Sequence, residues 1–288
     1  MTQPSDDQPS HDHPPMPLPI RVDASVLEHA GDGAGHHRLT LEIPGWPGAE
    51  PGQFAMLSPG GGSEALRSDP LLPRPMAVYR GHASAAPGSA ARVDFLLKVE
   101  GRGTRLLADL VPGQAVRLLG PLGTGFPAIA PGSRAVVVGG GTGIASLFEL
   151  ASRGAGQAEV HVVLGARTAS ALMGAADFEA LDVAFHVTTE DGSRGRTGRV
   201  TDVLSELLGS AEIPTTLYVC GPTAMMLACR DQAEGAGVDC FVSLENTMAC
   251  GFGVCLGCAV PVRSGGFSLA CRAGPVYAAE EIVWEGLP

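Results

Sequence analysis

Four of the seven cysteines in this 288-residue chain lie close together near its carboxyl end, at Cys250, Cys255, Cys258 and Cys271. Four, two and twelve residues separate them. This spacing places three thiols in one tight loop and a fourth further on, which is the arrangement of plant-type 2Fe-2S ferredoxins. Glycines at positions 251, 253 and 257 let the backbone approach a small anionic cluster closely. The segment is therefore predicted to fold around a 2Fe-2S cluster.

The alternative for this loop is a structural zinc site with four cysteine ligands. Such sites more often contain two C-x-x-C pairs, and only one such pair is present here, which favours iron–sulfur. An odd number of cysteines in a chain expected to be cytosolic also favours metal ligation over a disulfide scaffold. The other three cysteines occur in apolar contexts and are predicted to be buried small hydrophobic residues: Cys220, Cys229 and Cys240.

The overall composition excludes several classes of function. Thirty acidic residues against 19 basic ones give a net charge of -11, which disfavours binding to nucleic acid. No run approaches the roughly 18 to 20 apolar residues that span a bilayer, and the amino terminus lacks the pattern of a secretion signal. We therefore expect a cytoplasmic protein without membrane contact. The length, with 45% hydrophobic residues, favours about two domains.

The first part of the chain is predicted to be an all-β domain. Residues 1–18 are rich in Pro, Asp, His and Ser and are expected to form a disordered tail, in which the 11–13 His-Asp-His run is solvated. Residues 19–127 contain short strand patterns at 21–27, 38–43, 53–57, 76–79, 93–99 and 115–118. A Gly-rich mobile loop at 58–68 and one helix at 104–110 interrupt them. Short strands with frequent turn signals predict a small antiparallel β-barrel.

The second part changes to apolar strands that alternate with helical segments. Residues 128–243 contain strand patterns at 135–138, 160–164, 183–187, 217–219 and 239–242. This alternation is typical of βαβ units with a parallel sheet, so the region is predicted to be an α/β domain. Residues 244–288 are Gly- and Cys-rich and fit neither pattern, so they are assigned to a small third module that carries the cluster.

Two glycine turns in the α/β region are candidates for nucleotide binding. The segment 135–144 is predicted to run from a strand through Gly140, Thr142 and Gly143 into a helix, whose amino terminus attracts a pyrophosphate. The pattern is not the usual GxGxxG, but its position between strand and helix favours a nucleotide. Cys220-Gly221-Pro222 ends a later strand, at the edge where such sheets bind ligands.

The barrel region contains two candidate anion-binding features. Arg74 lies between prolines at the start of a strand and offers a planar donor fork to a phosphate. Gly103 and Thr104 open the only predicted helix of this region. Each feature alone is more often a surface charge or a turn, but their joint presence upstream of a nucleotide fold and a cluster loop favours a binding site.

These motifs together resemble a known family. The order RPMAVY, GRGT, GPLGTGF, GGGTGIA, CGP, SLENTMACGFGVCLGC and a final cysteine is similar to the electron-transfer subunit of type B dihydroorotate dehydrogenase, within the ferredoxin-NADP reductase superfamily. The resemblance covers about residues 20 to 285, and its cysteine segment is the most specific part. It implies an antiparallel flavin-binding β-barrel, a parallel-sheet NAD-binding domain and a small C-terminal 2Fe-2S module.

The resemblance also implies a role for individual residues. FAD would be bound at its pyrophosphate by Arg74, beside its ring by Pro75, Met76, Ala77 and Val78, and elsewhere by Lys98, Val99, Gly103 and Thr104. NAD would be bound by Gly140, Thr142 and Gly143, with Cys220, Gly221 and Pro222 near the nicotinamide and Glu245 close to the flavin. The chain departs from the superfamily at Ala77, where many members have Ser or Thr that hydrogen-bonds the flavin. A backbone N–H could take that role.

The implied function is electron transfer in pyrimidine biosynthesis. Electrons would pass from dihydroorotate to FMN in a catalytic partner subunit, then through the cluster and FAD to NAD+, in a heterotetramer of two plus two subunits. No general acid or base is expected in this chain. Two alternatives remain: a similar subunit for a hydrogenase, sulfide dehydrogenase or ferredoxin-dependent transhydrogenase, and a non-catalytic zinc module. NAD is preferred on family grounds, although Arg167 follows a strand where a 2′-phosphate could bind.

Overall fold

A computed structural model of the chain describes residues 18–31, 34–61, 72–86, 88–209 and 213–287. Most of the predicted disordered tail and most of the predicted mobile loop at 58–68 lie outside these residues. Two seven-stranded sheets and a two-stranded sheet account for the strands of the part described. Within that part, no helix has both the length and the apolar character needed to cross a membrane.

The first sheet forms the amino-terminal domain, and its strands are antiparallel. Its strands are β1 (Ile20–Gly31), β2 (His36–Pro44), β3 (Phe54–Pro59), β4 (Arg74–Ala77), β5 (Arg80–Gly81), β6 (Ala90–Lys98) and β7 (Ala115–Leu122). They are ordered β4-β3-β7-β1-β2-β6-β5 across the sheet. Alternate side chains point inward, and Leu39, Leu41 and Phe95 form part of a fully buried core.

The sheet curls because the segment between its two edge strands, β4 and β5, forms backbone hydrogen bonds with both halves of the sheet. The Val78 amide donates to the Gln53 carbonyl just before β3, and the Tyr79 amide donates to Asp94 on β6, each at 3.0 Å. A short helix, α1 (Arg102–Ala108), adds Leu107 to the core. The prediction of an antiparallel barrel is confirmed, while the two-residue strand β5 was not predicted.

The second sheet is parallel apart from one edge strand. Its strands and the helices that connect them follow in chain order: β8 (Arg134–Gly140), α2 (Phe148–Gly154), β9 (Glu159–Ala166), α3 (Ala175–Glu179), β10 (Ala184–Thr189), β11 (Arg196–Thr197), α4 (Val200–Gly209), β12 (Thr215–Cys220), α5 (Thr223–Ala236) and β13 (Asp239–Ser243). On β8, Val136 and Val138 join the apolar cluster on one face, and Ala135 and Val137 join the cluster on the other. Burial on both faces explains the unbroken apolar run that predicted this strand.

The carboxyl-terminal segment is attached to the second sheet. It contains β14 (Ala259–Pro261), β15 (Phe267–Leu269) and β16 (Val276–Ala278). Strand β16 pairs antiparallel with β13 and becomes the last strand of the sheet, in the order β11-β10-β9-β8-β12-β13-β16. Cys258, Cys271 and Trp284 belong to the same apolar cluster as Val136. The cysteine loop is therefore held by the core of the α/β domain rather than by a core of its own.

Candidate functional site

The four thiols of the cysteine loop interact with one another. The Cys250 thiol interacts with that of Cys255, and the Cys271 thiol with that of Cys258. Among the described residues, no three His, Cys, Asp or Glu side chains converge on a point that could hold a single metal ion. A zinc ion needs all four sulfurs around one point, whereas a 2Fe-2S cluster needs two thiolates at each of two irons. The Cys250–Cys255 and Cys258–Cys271 interactions are compatible with two thiolates at each of two irons.

Backbone N–H groups of the loop point at the sulfur atoms. Burial opposes the Cys250 thiolate, but N–H donors from Cys255, Phe252 and Val254 lower the pKa of Cys250 to about 6. The Gly253 amide also donates to Cys271, although burial and the neighbouring Cys258 thiol raise the pKa of Cys271 to about 12. Amides aimed at sulfur stabilise negative charge, as an anionic cluster requires. The donor set therefore fits iron–sulfur ligation.

Glycine in this loop brings it against the barrel. Gly251 has φ +81°, and a Cβ atom there would be 2.5 Å from Met56 Cγ on β3. Met56 is paired with Pro75 on β4, the strand predicted to line the flavin. Gly253, at φ +86°, is crossed by the side chain of Arg272. One strand thus separates the cysteine loop from the predicted flavin strand.

The predicted FAD residues lie around the start of α1. Arg74 crosses Gly103, where a Cβ would be 2.8 Å from Arg74 Cδ. The Arg74 guanidinium donates to the carbonyls of Pro73 and Leu72, both at 3.0 Å. Thr104 Oγ1 accepts N–H donors from Glu100 and Gly101 at 3.0 and 3.2 Å. A fixed cation beside a glycine turn can bind a pyrophosphate, provided that position 103 has no side chain.

Four other predicted FAD residues are placed on neighbouring strands. Val78 packs its side chain in the barrel core, whereas Ala77 packs towards the α/β domain. At the end of β6, Lys98 is exposed and pairs with Glu100 at 3.1 Å. The Val99 amide donates to the Gly35 carbonyl at 2.9 Å, which fixes the chain before the α1 turn.

The two glycine turns of the α/β domain interlock. Strands β8 and β12 are neighbours, and Cys220 is paired with Gly139. A Cβ at Gly143 would be 2.5 Å from the Cys220 carbonyl carbon, and one at Gly140 would be 2.7 Å from Met225 Sδ. This cradle at the carboxyl ends of the strands has the position and the lack of side chains that a bound dinucleotide requires.

The segment after the first glycine turn is helical in two parts. A 3-10 helix, Gly141–Ser146, follows β8, and α2 begins only at Phe148. Gly143 lies so close to Cys220 that the chain takes a tighter path here than an α-helix. The predicted order of strand, glycine turn and helix is therefore present, with a 3-10 segment before the α-helix.

Glu245 bonds to the nucleotide turn and is repelled by the charge of Glu100 before α1. Its carboxylate accepts a hydrogen bond from Thr142 Oγ1 at 3.2 Å. Desolvation by the surrounding protein raises the pKa of the Glu245 carboxyl, and the charge of Glu100 raises it further, whereas the hydrogen bond from Thr142 lowers it. The residue nevertheless keeps an exposed surface. Glu245 therefore lies at the nucleotide turn, within electrostatic range of Glu100 just before α1. Nearby, Cys220 donates to the Ser243 carbonyl at 3.3 Å, and burial together with Glu245 raises the pKa of Cys220 to about 12.

An exposed apolar patch lies on and beside the cysteine loop. Its members are Phe252, Val254, Leu256 and Phe267, with 53%, 72%, 61% and 73% of their surfaces exposed. Leu256 has φ +58°, a conformation that favours glycine. A leucine that is both strained and exposed contributes nothing to the core. Sequence analysis did not single out this apolar patch.

Two family models match parts of the chain. One, described as the iron-sulfur cluster binding domain of dihydroorotate dehydrogenase B, matches residues 245–283. The other, described as an oxidoreductase NAD-binding domain, matches residues 137–231. The first covers the cysteine loop, and the second covers most of the α/β domain.

Curated relatives match over most of their length. The electron transfer subunit of dihydroorotate dehydrogenase B (NAD(+)) from Caldanaerobacter subterraneus subsp. tengcongensis is 37% identical, with 92% of this chain and 99% of the relative covered. The subunit of the same name from Bacillus caldolyticus is 39% identical, with 81% and 87% covered.

Solved structures match both domains. A structure of an NADH-dependent reduced ferredoxin-NADP oxidoreductase, a flavin-based electron-bifurcating enzyme, has a TM-score of 0.77 and 29% identity, with 92% of this chain and 91% of that chain covered. A ferredoxin NADP+ reductase from Neisseria gonorrhoeae with bound FAD and NADP has a TM-score of 0.57 and 19% identity, with 75% and 92% covered, and shares the fold.

Proposed function

Because the chain belongs to the family of electron-transfer subunits of NAD(+)-dependent dihydroorotate dehydrogenase B, we propose that it passes electrons from a dihydroorotate-oxidising partner to NAD+. When bound, FAD exchanges hydride with a nicotinamide and single electrons with a 2Fe-2S cluster, so it connects two kinds of carrier. The role of this chain is to hold the three groups in order and close together.

Each group has a set of residues that would hold it. Arg74, Gly103 and Thr104 would bind the FAD pyrophosphate, with Lys98 and Val99 beside them and the strand 75–78 along the ring. Gly140, Thr142 and Gly143 would bind NAD, with Cys220, Gly221 and Pro222 at the nicotinamide and Glu245 near the flavin. Cys250, Cys255, Cys258 and Cys271 would bind the cluster. We assign no general acid or base to this chain.

One contact supports the order of the carriers most directly. Gly251 lies on Met56, and Met56 is the neighbour of Pro75 across the barrel sheet. Neighbouring strands are about 4.8 Å apart. A cluster held by this loop and a flavin held along β4 would lie on opposite sides of one strand, which suits transfer of single electrons between them.

The apolar patch supports the assignment of a partner surface. Exposed apolar groups concentrated at one place mark protein contact sites. Here three of the four lie between Cys250 and Cys258, in the loop through which electrons would enter, and the relatives are named as subunits. We propose that a catalytic subunit carrying FMN docks on this patch, in a heterotetramer of two catalytic and two electron-transfer subunits.

We further propose three domains, with an FAD-binding barrel at 19–127, an NAD-binding domain at 128–243 and a cluster module at 244–288. NAD rather than NADP is assigned as the nucleotide. Arg167 is exposed directly after β9.

The test is to purify the chain with its native partner under anaerobic conditions and to follow the visible spectrum. Adding dihydroorotate should bleach both flavin and cluster absorbance, and subsequent NAD+ should restore it. The same complex with NADP+ is the control for nucleotide choice. If dihydroorotate leaves the spectrum unchanged while hydrogen, sulfide or reduced ferredoxin bleaches it, the partner assignment is wrong.

A further inference from the structure

Four polar side chains meet across the boundary between the barrel and the α/β domain. Asp177 on α3 accepts a hydrogen bond from the Tyr79 hydroxyl at 2.7 Å. Arg80 on β5 lies 3.2 Å from the other carboxylate oxygen, and Arg38 on β2 also donates to Asp177. The Asp177 side chain is only 20% exposed. Three donors from one domain thus converge on a carboxylate of the other.

Aromatic rings enclose this ion cluster. The Arg80 guanidinium lies 4.5 Å from the centre of the Phe148 ring, and Arg38 lies 5.3 Å from that of Tyr79. The Tyr79 and Phe148 rings are 4.9 Å apart, and Tyr79 is fully buried. Desolvation opposes the charge of Asp177, but Tyr79, Arg38 and Arg80 together lower its pKa. The carboxylate is ionised and held from several directions, unlike an exposed single ion pair.

The ion cluster also lies in the structural path between the two predicted cofactor sites. Tyr79 follows the predicted flavin strand after Val78, within the same segment as Ala77. Gly174, just before α3, has φ +60°, and a Cβ there would be 2.8 Å from Tyr79 Oη and 3.4 Å from Ile144 Cδ1. Ile144 belongs to the 3-10 helix of the nucleotide turn. Packed contacts therefore run from the flavin strand through Tyr79 and Gly174 to the nucleotide turn.

We propose that Asp177 is a positioning residue for hydride transfer, and this rests on the proposed function. It fixes the nucleotide turn relative to the flavin strand. In the transfer, the C4–H bond of NADH breaks and its hydrogen and electron pair form a bond at flavin N5, leaving NAD+; the reverse reaction uses the same distance. Donor and acceptor must approach to about 3 to 3.5 Å, and a displacement of about 1 Å can cost about 100-fold in rate.

A second ion pair across the domain boundary is less suited to this role. Arg153 bonds Glu50 at 2.7 Å, but their side chains are 45% and 36% exposed. Water competes for both groups, and such pairs contribute little to rigidity. Neither residue contacts the predicted flavin strand through an interaction comparable to Tyr79–Asp177.

The test compares Asp177→Asn with Glu28→Gln in the FAD- and cluster-loaded chain. Glu28 forms a two-bond pair with Arg92, at 2.9 and 2.7 Å, within the barrel alone. Flavin reduction is followed by stopped flow with NADH and with NADH deuterated at C4. We expect Asp177→Asn to lower the limiting rate about 10- to 100-fold, with NADH Kd changed by less than about threefold and a more temperature-dependent isotope effect. Glu28→Gln should match the wild type.

A double variant and hydrogen exchange separate positioning from general damage. Adding Arg80→Gln to Asp177→Asn should slow transfer little further, because both changes break one ion cluster. Amide hydrogen exchange, measured without nucleotide, should become faster at residues 76–81 and 174–178 in Asp177→Asn and stay unchanged in the barrel core. Should Asp177→Asn fail to fold, Tyr79→Phe removes one donor and keeps the ring, and we expect about tenfold slower transfer.

The outcomes distinguish this inference from the proposed function. If NADH does not reduce the flavin of the wild-type chain, the proposed function is wrong, and this inference is wrong with it. A wild type that reacts, together with an Asp177→Asn variant of equal limiting rate and equal hydrogen exchange, overturns the inference alone. A rate loss that is explained by weaker NADH binding would also overturn it, since Asp177 would then act on affinity.

Discussion

Gly251 of the cysteine loop lies directly on Met56 of the barrel, with no space for even a methyl group between them. The contact joins two segments that are far apart in the sequence and belong to different predicted modules. Because Met56 neighbours Pro75, it also sets how far the cysteine loop stands from the predicted flavin strand. The sequence indicated Gly251 as a loop glycine, but not its contact with the barrel.

Replacing Gly251 by Ala should disturb this contact. The new Cβ would overlap Met56 Cγ at 2.5 Å, and φ +81° disfavours any side chain. We expect a loss of about 1 to 3 kcal/mol in stability, together with slower reduction of the cluster through the flavin. Thermal unfolding and cluster content measure these effects. Gly209→Ala, on α4 and outside the cysteine loop, is the control, because its Cβ would meet no atom within 4 Å. Equal behaviour of the two variants would contradict the packing argument.

Replacing Gly143 by Ala should weaken nucleotide binding and spare the flavin. A Cβ would stand 2.5 Å from the Cys220 carbonyl carbon and push apart the two interlocked turns. Overpacking of this kind costs about 1 to 3 kcal/mol, so the NADH Kd should rise about 10- to 100-fold. Calorimetric titration measures Kd, and flavin content reports on the barrel. Gly235→Ala, in open space on α5, should leave Kd unchanged. An unchanged Kd in Gly143→Ala would remove the turn from the nucleotide site.

Replacing Leu256 by Gly should separate loop stability from partner binding. Glycine relieves the strain of φ +58°, so the isolated chain should be as stable as the wild type or about 1 kcal/mol more stable. Loss of an exposed apolar side chain should weaken binding of the catalytic subunit about tenfold. Val111→Ser serves as the control. Val111 is exposed and precedes the first residue of β7, whereas the last residue of β7, Leu122, lies near the cysteine loop. If Leu256→Gly binds the catalytic subunit as tightly as the wild type does, the interface does not include Leu256.

Replacing Glu245 by Gln should change the pH dependence of stability. Desolvation by burial raises the pKa of this carboxyl above its ordinary value of 4.5, so the folded state binds its proton more tightly than the unfolded state does. The wild type therefore loses stability as pH rises above 4.5, until the pH exceeds the raised pKa. Gln has no such loss, so its advantage should grow from pH 5 towards neutrality. Melting temperatures across this range measure it, and an advantage that shrinks with rising pH would contradict the assigned direction.

The sequence predicted local features well because they depend on local patterns. The strand patterns at 38–43 and 135–138 fall inside β2 and β8, since alternation and apolar runs reflect which faces are buried. The cysteine spacing was sufficient to predict a cluster loop that a family model also matches. The roles of the individual cofactor residues stay predictions.

The features that the sequence did not predict depend on distant residues. Strand β16 joins the α/β sheet only because β13 offers an edge to pair with. Asp177 is separated from Tyr79 by 98 residues, and nothing around position 177 indicates a partner. Leu256 looks like an ordinary apolar residue until its φ angle and exposure are known. Sequence periodicity carries no information about such contacts.

We propose that the four cysteines bind a 2Fe-2S cluster that exchanges single electrons with a flavin on β4. The most direct measurement is stepwise addition of NADH to the anaerobically purified chain, with visible and electron paramagnetic resonance spectra at each step. The wild type should contain iron and flavin, and NADH should bleach the flavin and produce the signal of a reduced 2Fe-2S cluster. Cys255→Ser should keep flavin bleaching and lose or alter that signal. A sample with zinc instead of iron, or with a flavin that never passes electrons to the cluster, would contradict the claim.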